Sequence, residues 1–103
     1  GTSLTNGADC SGFTMTIYGQ YGYSLPHSSA AQAGCGRSVS LSNVQPGDLI
    51  FFEKTYDTSG ASHVGIYLGD GDFINASSSQ GVSVASLYSS YWGSCYIGAR
   101  RVM

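Results

Sequence analysis

Four consecutive apolar residues, Leu49-Ile50-Phe51-Phe52, constrain this chain more than any other stretch. Side chains alternate between the two faces of a strand, so an unbroken apolar run reads as a strand buried on both. Val44-Gln45-Pro46-Gly47-Asp48 leads into it as a turn, with proline pre-set for position i+1 and glycine supplying a positive φ at i+2. Beyond it the strand signals continue. Lys54 to Ser62 is a polar loop, His63 to Leu68 a strand, and Gly69-Asp70-Gly71 a turn into a strand over Asp72 to Ala76. Val82-Ser83-Val84 and Cys95 to Arg100 follow, with a helical turn or loop from Leu87 to Trp92 between them. Helix signals come first, in two segments from Cys10 to Tyr21 and from Ser28 to Ala33. Helices followed by a meander of strands predict an α+β fold, with N-terminal helices packed on a five- to six-stranded, mainly antiparallel sheet. At 103 residues the chain is a single domain, 1–103, without internal repeats.

The first helix has a cysteine in its first turn. Asp9 is a suitable N-cap, Cys10, Phe13, Ile17 and Tyr21 fall on one stripe, and Gly22 and Pro26 close the segment. Gly12, inside the helix beside the cysteine, suggests the close approach of another backbone. A thiol at a helix N-terminus meets the positive end of the macrodipole and unpaired backbone N–H groups, which favour thiolate. The same groups suit an oxyanion formed where sulfur attacks a carbonyl. The competing reading of Cys10 is a small buried hydrophobe. Three cysteines allow one pair and one free thiol, so a reactive Cys10 leaves Cys35 and Cys95 to pair in an oxidising compartment.

Charge narrows the partners. Only 10% of residues are charged, the net charge is −2, and Arg37, Lys54, Arg100 and Arg101 form no stripe. No nucleic acid is expected. No apolar run approaches the roughly 18 residues that span a bilayer, so no membrane partner is expected either. A neutral surface with eight tyrosines suits carbohydrate- or peptide-bearing polymers. The two histidines and three cysteines lack C-x-x-C or H-x-x-x-H spacing, which disfavours zinc.

The hairpin around Gly69-Asp70-Gly71 decides what faces His63. A two-residue Asp70-Gly71 loop puts Asn75 opposite Ile66, on the face away from His63. A three-residue loop from Gly69 to Gly71 puts Asn75 opposite Gly65, on the face of His63 and diagonal to it, with Cα atoms ~7–8 Å apart. The second register sends Val64, Ile66 and Leu68 together to an apolar face and leaves only Gly65 beside the polar pair, with room for another group. It is the register expected here. His63 then faces the helix carrying Cys10 and takes its proton, and Asn75 orients the imidazole, as in a papain-like cysteine hydrolase. Taken singly, His63 and Asn75 also read as strand-end residues satisfied by backbone. His27, in a loop after Pro26, reads as a surface or substrate-cleft residue.

Several of these segments together resemble the NlpC-type peptidoglycan endopeptidases, papain-like cysteine peptidases of bacterial cell walls. They are Asp9-Cys10-Ser11-Gly12-Phe13, Leu25-Pro26-His27-Ser28-Ser29 with Gln32, Gln45 to Phe52, His63 to Gly69, and Phe73-Ile74-Asn75-Ala76. The resemblance runs from about Asn6 to Val102. It implies that Cys10 is the nucleophile, His63 the general base and Asn75 the third polar residue, a position often held by histidine. It implies that Asp9 and Ser11 meet the amino end and acidic residue of a stem peptide, and that Ser29 lines the same cleft. The implied reaction is hydrolysis of the bond between D-γ-glutamate and the following diamino acid, meso-diaminopimelate or lysine, with no cofactor and no metal. An amidase cutting between sugar and stem L-alanine on the same fold, and a non-catalytic wall-binding module, are the rival readings. Relatives are exported, to the cell wall, periplasm or exterior, and joined to further domains. Against them this chain corresponds to a monomeric catalytic domain excised from a longer secreted protein and lacking its usual first helix.

Overall fold

The computed structural model describes residues 10–53, 61–77 and 81–102; for Cys10, Ser29, Ala30, Ala61, Ser62 and Ser77 it describes the backbone alone. The apolar run becomes strand β2 (Leu49–Glu53), and Leu49 to Phe52 are all at most 1% exposed. Burying such side chains contributes about 1.5–3 kcal/mol each, which makes β2 the anchor of the fold. Its alternation divides the core in two. Leu49 and Phe51 join Phe13, Tyr18, Leu25, Val64, Ile66 and Ala76 on one face. Ile50 and Phe52 join Val39, Tyr67, Phe73, Leu87, Cys95 and Ala99 on the other.

Around β2 lie β1 (Arg37–Val39), β3 (Ala61–Gly69), β4 (Asp72–Ser77), β5 (Gly81–Ser86) and β6 (Tyr96–Arg101). They form one antiparallel sheet in the order β1-β6-β2-β3-β4-β5. Helix α1 (Cys10–Gly19) and the short α2 (Ser29–Gln32) cover the first face, and α3 (Ser90–Cys95) lies against the second. The expected α+β architecture is what is observed.

The differences from expectation are local. Helix α1 ends at Gly19, and Tyr21, placed on the buried stripe by sequence, is 72% exposed in the turn beyond. The buried positions are instead Ser11, Thr14 and Tyr18 beside Phe13, because Gln32 satisfies the polar groups of the first turn. Strand β1 and a 3₁₀ turn at Leu41–Asn43 carried no clear signal, being three residues each. Strand β3 begins at Ala61, inside the expected polar loop, and Cys95 closes α3 rather than opening β6. Cys35 and Cys95 are free; Cys35 packs on the first cluster and Cys95 within the second, so the sheet stands between them and the expected disulfide does not form. The proposed Asp9 cap lies outside the described residues.

The turn before β2 has the expected form. Asp48 donates its N–H to the Gln45 carbonyl at 3.0 Å, and Gly47 has φ +95°. The Tyr18 hydroxyl donates to the Gly47 carbonyl and ties the end of α1 to this turn. Burial, with the nearby Asp48 charge, pushes the Tyr18 phenol up to about 12.

Candidate active site

The hairpin register is what brings the polar pair together. Ile66 faces Ile74 and Tyr67 faces Phe73, the register expected for this hairpin. The turn that produces it differs from the three-residue loop. Asp70 and Gly71 form a two-residue turn with φ of +54° and +83°, closed by Gly69 opposite Asp72, and the register shifts between Tyr67 and Gly69. A bulge thus supplies the one-residue offset. Its cost is Leu68, which is 47% exposed instead of joining Val64 and Ile66 in the core.

His63 and Asn75 are each 2% exposed, and His63 Nε2 lies 2.9 Å from Asn75 Oδ1. The Asn75 amide nitrogen donates to the Ser83 carbonyl at 3.3 Å, which fixes which end of the amide faces the imidazole. An amide oxygen only accepts, so Nε2 carries the proton and Nδ1 of the neutral ring keeps its lone pair. That is the tautomer of a general base acting through Nδ1. The space left by Gly65 is not open: a Cβ there would come within 2.7 Å of Phe73 Cδ2.

The imidazole lies among rings of the second core face, with centroids 6.1 Å from Phe52 and 5.1 Å from Trp92. Phe13 and Tyr18 of α1 pack on the first face. Cys10 opens α1, and α1 packs chiefly against β3 and β4, the strands of His63 and Asn75. The expectation that His63 faces the helix carrying Cys10 is not met: the alternation that sends Val64 and Ile66 to the α1 face sends the His63 imidazole to the face of α3. The Cys10 side chain lies outside those described.

Gln32, which sequence marked only as part of a motif, organises the other candidates. It is fully buried, donates from Nε2 to the carbonyls of Ser11 (3.0 Å) and Pro26 (2.7 Å), and accepts from the Thr14 hydroxyl at 2.6 Å. One amide therefore ties the turn after Cys10 to the loop of His27 and to α2, which Ser29 opens. Ser11 is buried and His27 exposed. Ser28 caps α2, its hydroxyl accepting from the Ala31 N–H at 3.2 Å. Asp9 lies outside the described residues. Among the described residues no group of three His, Cys, Asp or Glu side chains could hold a metal ion, and no helix is long and apolar enough to cross a membrane.

A second buried polar group braces the sheet. Arg101 donates from Nε and Nη2 to the two Asp48 carboxylate oxygens, both at 2.8 Å, and the Gln45 N–H adds a third bond at 2.8 Å. Burial pushes the Asp48 carboxyl up, but these hydrogen bonds and the Arg101 and Arg37 charges outweigh it and hold it below the ordinary carboxylate range. Nothing in the local sequence revealed this pair.

The chain has relatives among known proteins. A family model described as NlpC/P60 family matches residues 1–101. The chain is 44% identical over 104 residues to an Escherichia coli protein named murein DD-endopeptidase MepS/murein LD-carboxypeptidase, covering all of this chain and 54% of that one. It is 42% identical over 102 residues to a Bacillus subtilis gamma-DL-glutamyl hydrolase, covering 98% of this chain and 24% of that one. A Staphylococcus aureus crystal structure, described as similar to lipoprotein and of the NLP/P60 family, superposes with a TM-score of 0.90 at 38% identity, over all of this chain and 35% of that one. The chain spans about half or less of the length of these curated relatives.

Proposed function

The chain belongs to the NlpC/P60 family, and on that premise we propose that it is a cell-wall hydrolase, a cysteine endopeptidase that cuts the bond between D-γ-glutamate and the diamino acid of a peptidoglycan stem peptide. The observation that carries the reading is the His63–Asn75 bond. It supports a base whose Nδ1 is free to accept a proton, in the order nucleophile, base, orienter along the chain. The relatives' names support hydrolysis of peptidoglycan and of γ-glutamyl bonds.

In the proposed cycle Nδ1 of His63 takes the Cys10 proton. The thiolate attacks the γ-carbonyl of D-glutamate, and the carbonyl π pair moves to oxygen. Backbone N–H groups at the start of α1, that of Cys10 among them, stabilise this oxyanion, each donor being worth about 3 kcal/mol by analogy with other hydrolases. As the tetrahedral intermediate collapses, the C–N bond breaks and imidazolium Nδ1–H protonates the leaving amine. Water, deprotonated by the same nitrogen, then attacks the thioester and restores the thiol. Asn75 holds the ring through both transfers. Asp9, Ser11, Ser29 and His27 are assigned to the peptide cleft. Catalysis takes place outside the cytoplasm, in the wall or periplasm, as one domain of a longer protein.

The E. coli relative is named for a DD bond, so a cross-link peptide bond is the second reading. Mass spectrometry of purified muropeptides incubated with the chain, beside Cys10→Ala, separates the possibilities. L-Ala-D-Glu or its muramyl form, released only with intact Cys10, is the predicted product. Cross-linked dimers resolved to monomers indicate the DD bond, and free stem peptide with bare sugar an amidase. Polymer binding without any cleavage indicates a wall-binding module.

A further inference from the structure

Trp92 stands in the first turn of α3, its backbone N–H donating to the Ser89 hydroxyl at 3.3 Å. Its ring meets four others. Phe52 (4.8 Å, 62°), Phe73 (5.3 Å, 87°) and Tyr91 (4.9 Å, 76°) meet it at steep angles, whereas His63 lies only 30° from parallel with centroids 5.1 Å apart. Contacts from three directions fix the plane of the indole, and a near-parallel neighbour then fixes the plane of the imidazole. Asn75 alone cannot do so. A ring held by one hydrogen bond at Nε2 can still tilt about that bond, and each tilt swings Nδ1 away from its target. Trp92 also lays an apolar ring against the imidazole of a His63–Asn75 bond whose two residues are each 2% exposed, and a bond so buried is shielded from water competing for Nε2–H.

We infer that Trp92 is a positioning residue: it holds the His63 imidazole in the plane that keeps Nε2 on Asn75 and presents Nδ1 to the thiol. The inference rests on His63 being the general base. It makes α3 part of the catalytic architecture, although it lies on the sheet face away from α1 and α2.

The test compares Trp92→Met, which keeps a flexible apolar side chain without a flat face, with Trp92→Phe, which keeps one. Two readouts are taken on folded protein. The first is kcat and KM on muropeptide. Trp92→Met should lose about 10- to 100-fold in kcat with KM nearly unchanged, the effect of misplacing a catalytic group, and Trp92→Phe should recover most of the loss. The second is the exchange rate of the His63 Nε2 proton by NMR, which needs no turnover. It should be slow in the wild type and Trp92→Phe, and fast in Trp92→Met. A Met variant with wild-type kcat and a protected proton overturns the inference, as does a rate loss that merely tracks the unfolded fraction. Should Trp92→Met not fold, Trp92→Leu replaces it. If the wild type shows no Cys10-dependent cleavage, the reading of the site fails, and proton exchange alone decides the role of Trp92.

Discussion

At the scale of single residues, an amide in the third position does one thing to His63: it receives the Nε2 proton while its own N–H is spent on Ser83. Asn75→Leu removes both bonds at nearly constant volume and should lower kcat by about 100-fold or more, since a base in the wrong tautomer or orientation is costly. Asn75→His should stay within about tenfold of the wild type, because one ring nitrogen can accept from His63 while the other donates to Ser83. Steady-state kinetics of the two variants checks this. Asp48 gives a stability prediction. Its folded-state carboxyl lies below the ordinary value, so its stabilisation is present above the unfolded value of about 3.9 and is lost as pH falls through the folded one. Asp48→Asn should therefore melt lower than the wild type at pH 7, by at least the ~4–8 °C that 1 kcal/mol produces in a domain this size. The gap should narrow below about pH 4. Tyr18 works in the opposite sense. Its raised value stabilises the fold below about pH 10, and that contribution disappears as pH climbs toward about 12. Burial and the Asp48 charge also raise Tyr96, so tyrosinate absorbance should show late-titrating phenols, and Tyr18→Phe should remove the one that titrates at about 12. His63 and Asn75 were legible because strand alternation and turn chemistry are local rules. Asp48, Gln32 and Trp92 were not, because what they touch lies far along the chain, 53 residues away for Asp48 and Arg101 and 21 for Gln32 and Ser11.

Elements show how the pair is kept in register. The sequence permits two hairpins, and burial chooses between them: only the observed register puts Val64 and Ile66 in the first cluster and Phe73 in the second. The sheet accepts a bulge and an exposed Leu68 to achieve it. The turn residues read correctly as a tight turn, but the bulge is a response to packing on both faces, which no window of sequence contains. Gly65→Ala tests this arrangement. Its Cβ would press on the Phe73 ring at 2.7 Å and lie 3.1 Å from the Ile74 carbonyl. Phe73 is fully buried against Phe52 and Trp92, so it has little room to yield. A loss of about 1–3 kcal/mol in denaturant unfolding is expected, with a fall in kcat beyond it as the displaced rings disturb His63. Gln32→Leu acts on the other side of the sheet. It removes the Pro26 carbonyl's donor and leaves the Ser11 carbonyl and the Thr14 hydroxyl with the bond between them, and should destabilise by about 1–3 kcal/mol.

For the molecule as a whole, β2 makes the two faces of the sheet separate cores, and the chain covers each with helix drawn from a different part of its sequence. The N-terminal helices were plain in the sequence; for α3 the sequence predicts a helical turn or a loop over Leu87 to Trp92 without deciding between them, because Ser90–Cys95 is too short to establish a period. The same division settles the cysteines. Cys35 and Cys95 sit on opposite faces, which leaves Cys10 to be distinguished by reactivity and not by pairing. The central claim is that Cys10 is a nucleophile activated by His63, and competitive alkylation tests it most directly. The folded chain is treated with limiting iodoacetamide at neutral pH, and each cysteine's labelling is followed by peptide mass spectrometry, beside His63→Ala. The account predicts that Cys10 is labelled well ahead of Cys35 and Cys95, and that the lead collapses in His63→Ala. Labelling of Cys10 no faster than Cys35, or a lead unchanged without His63, would contradict it.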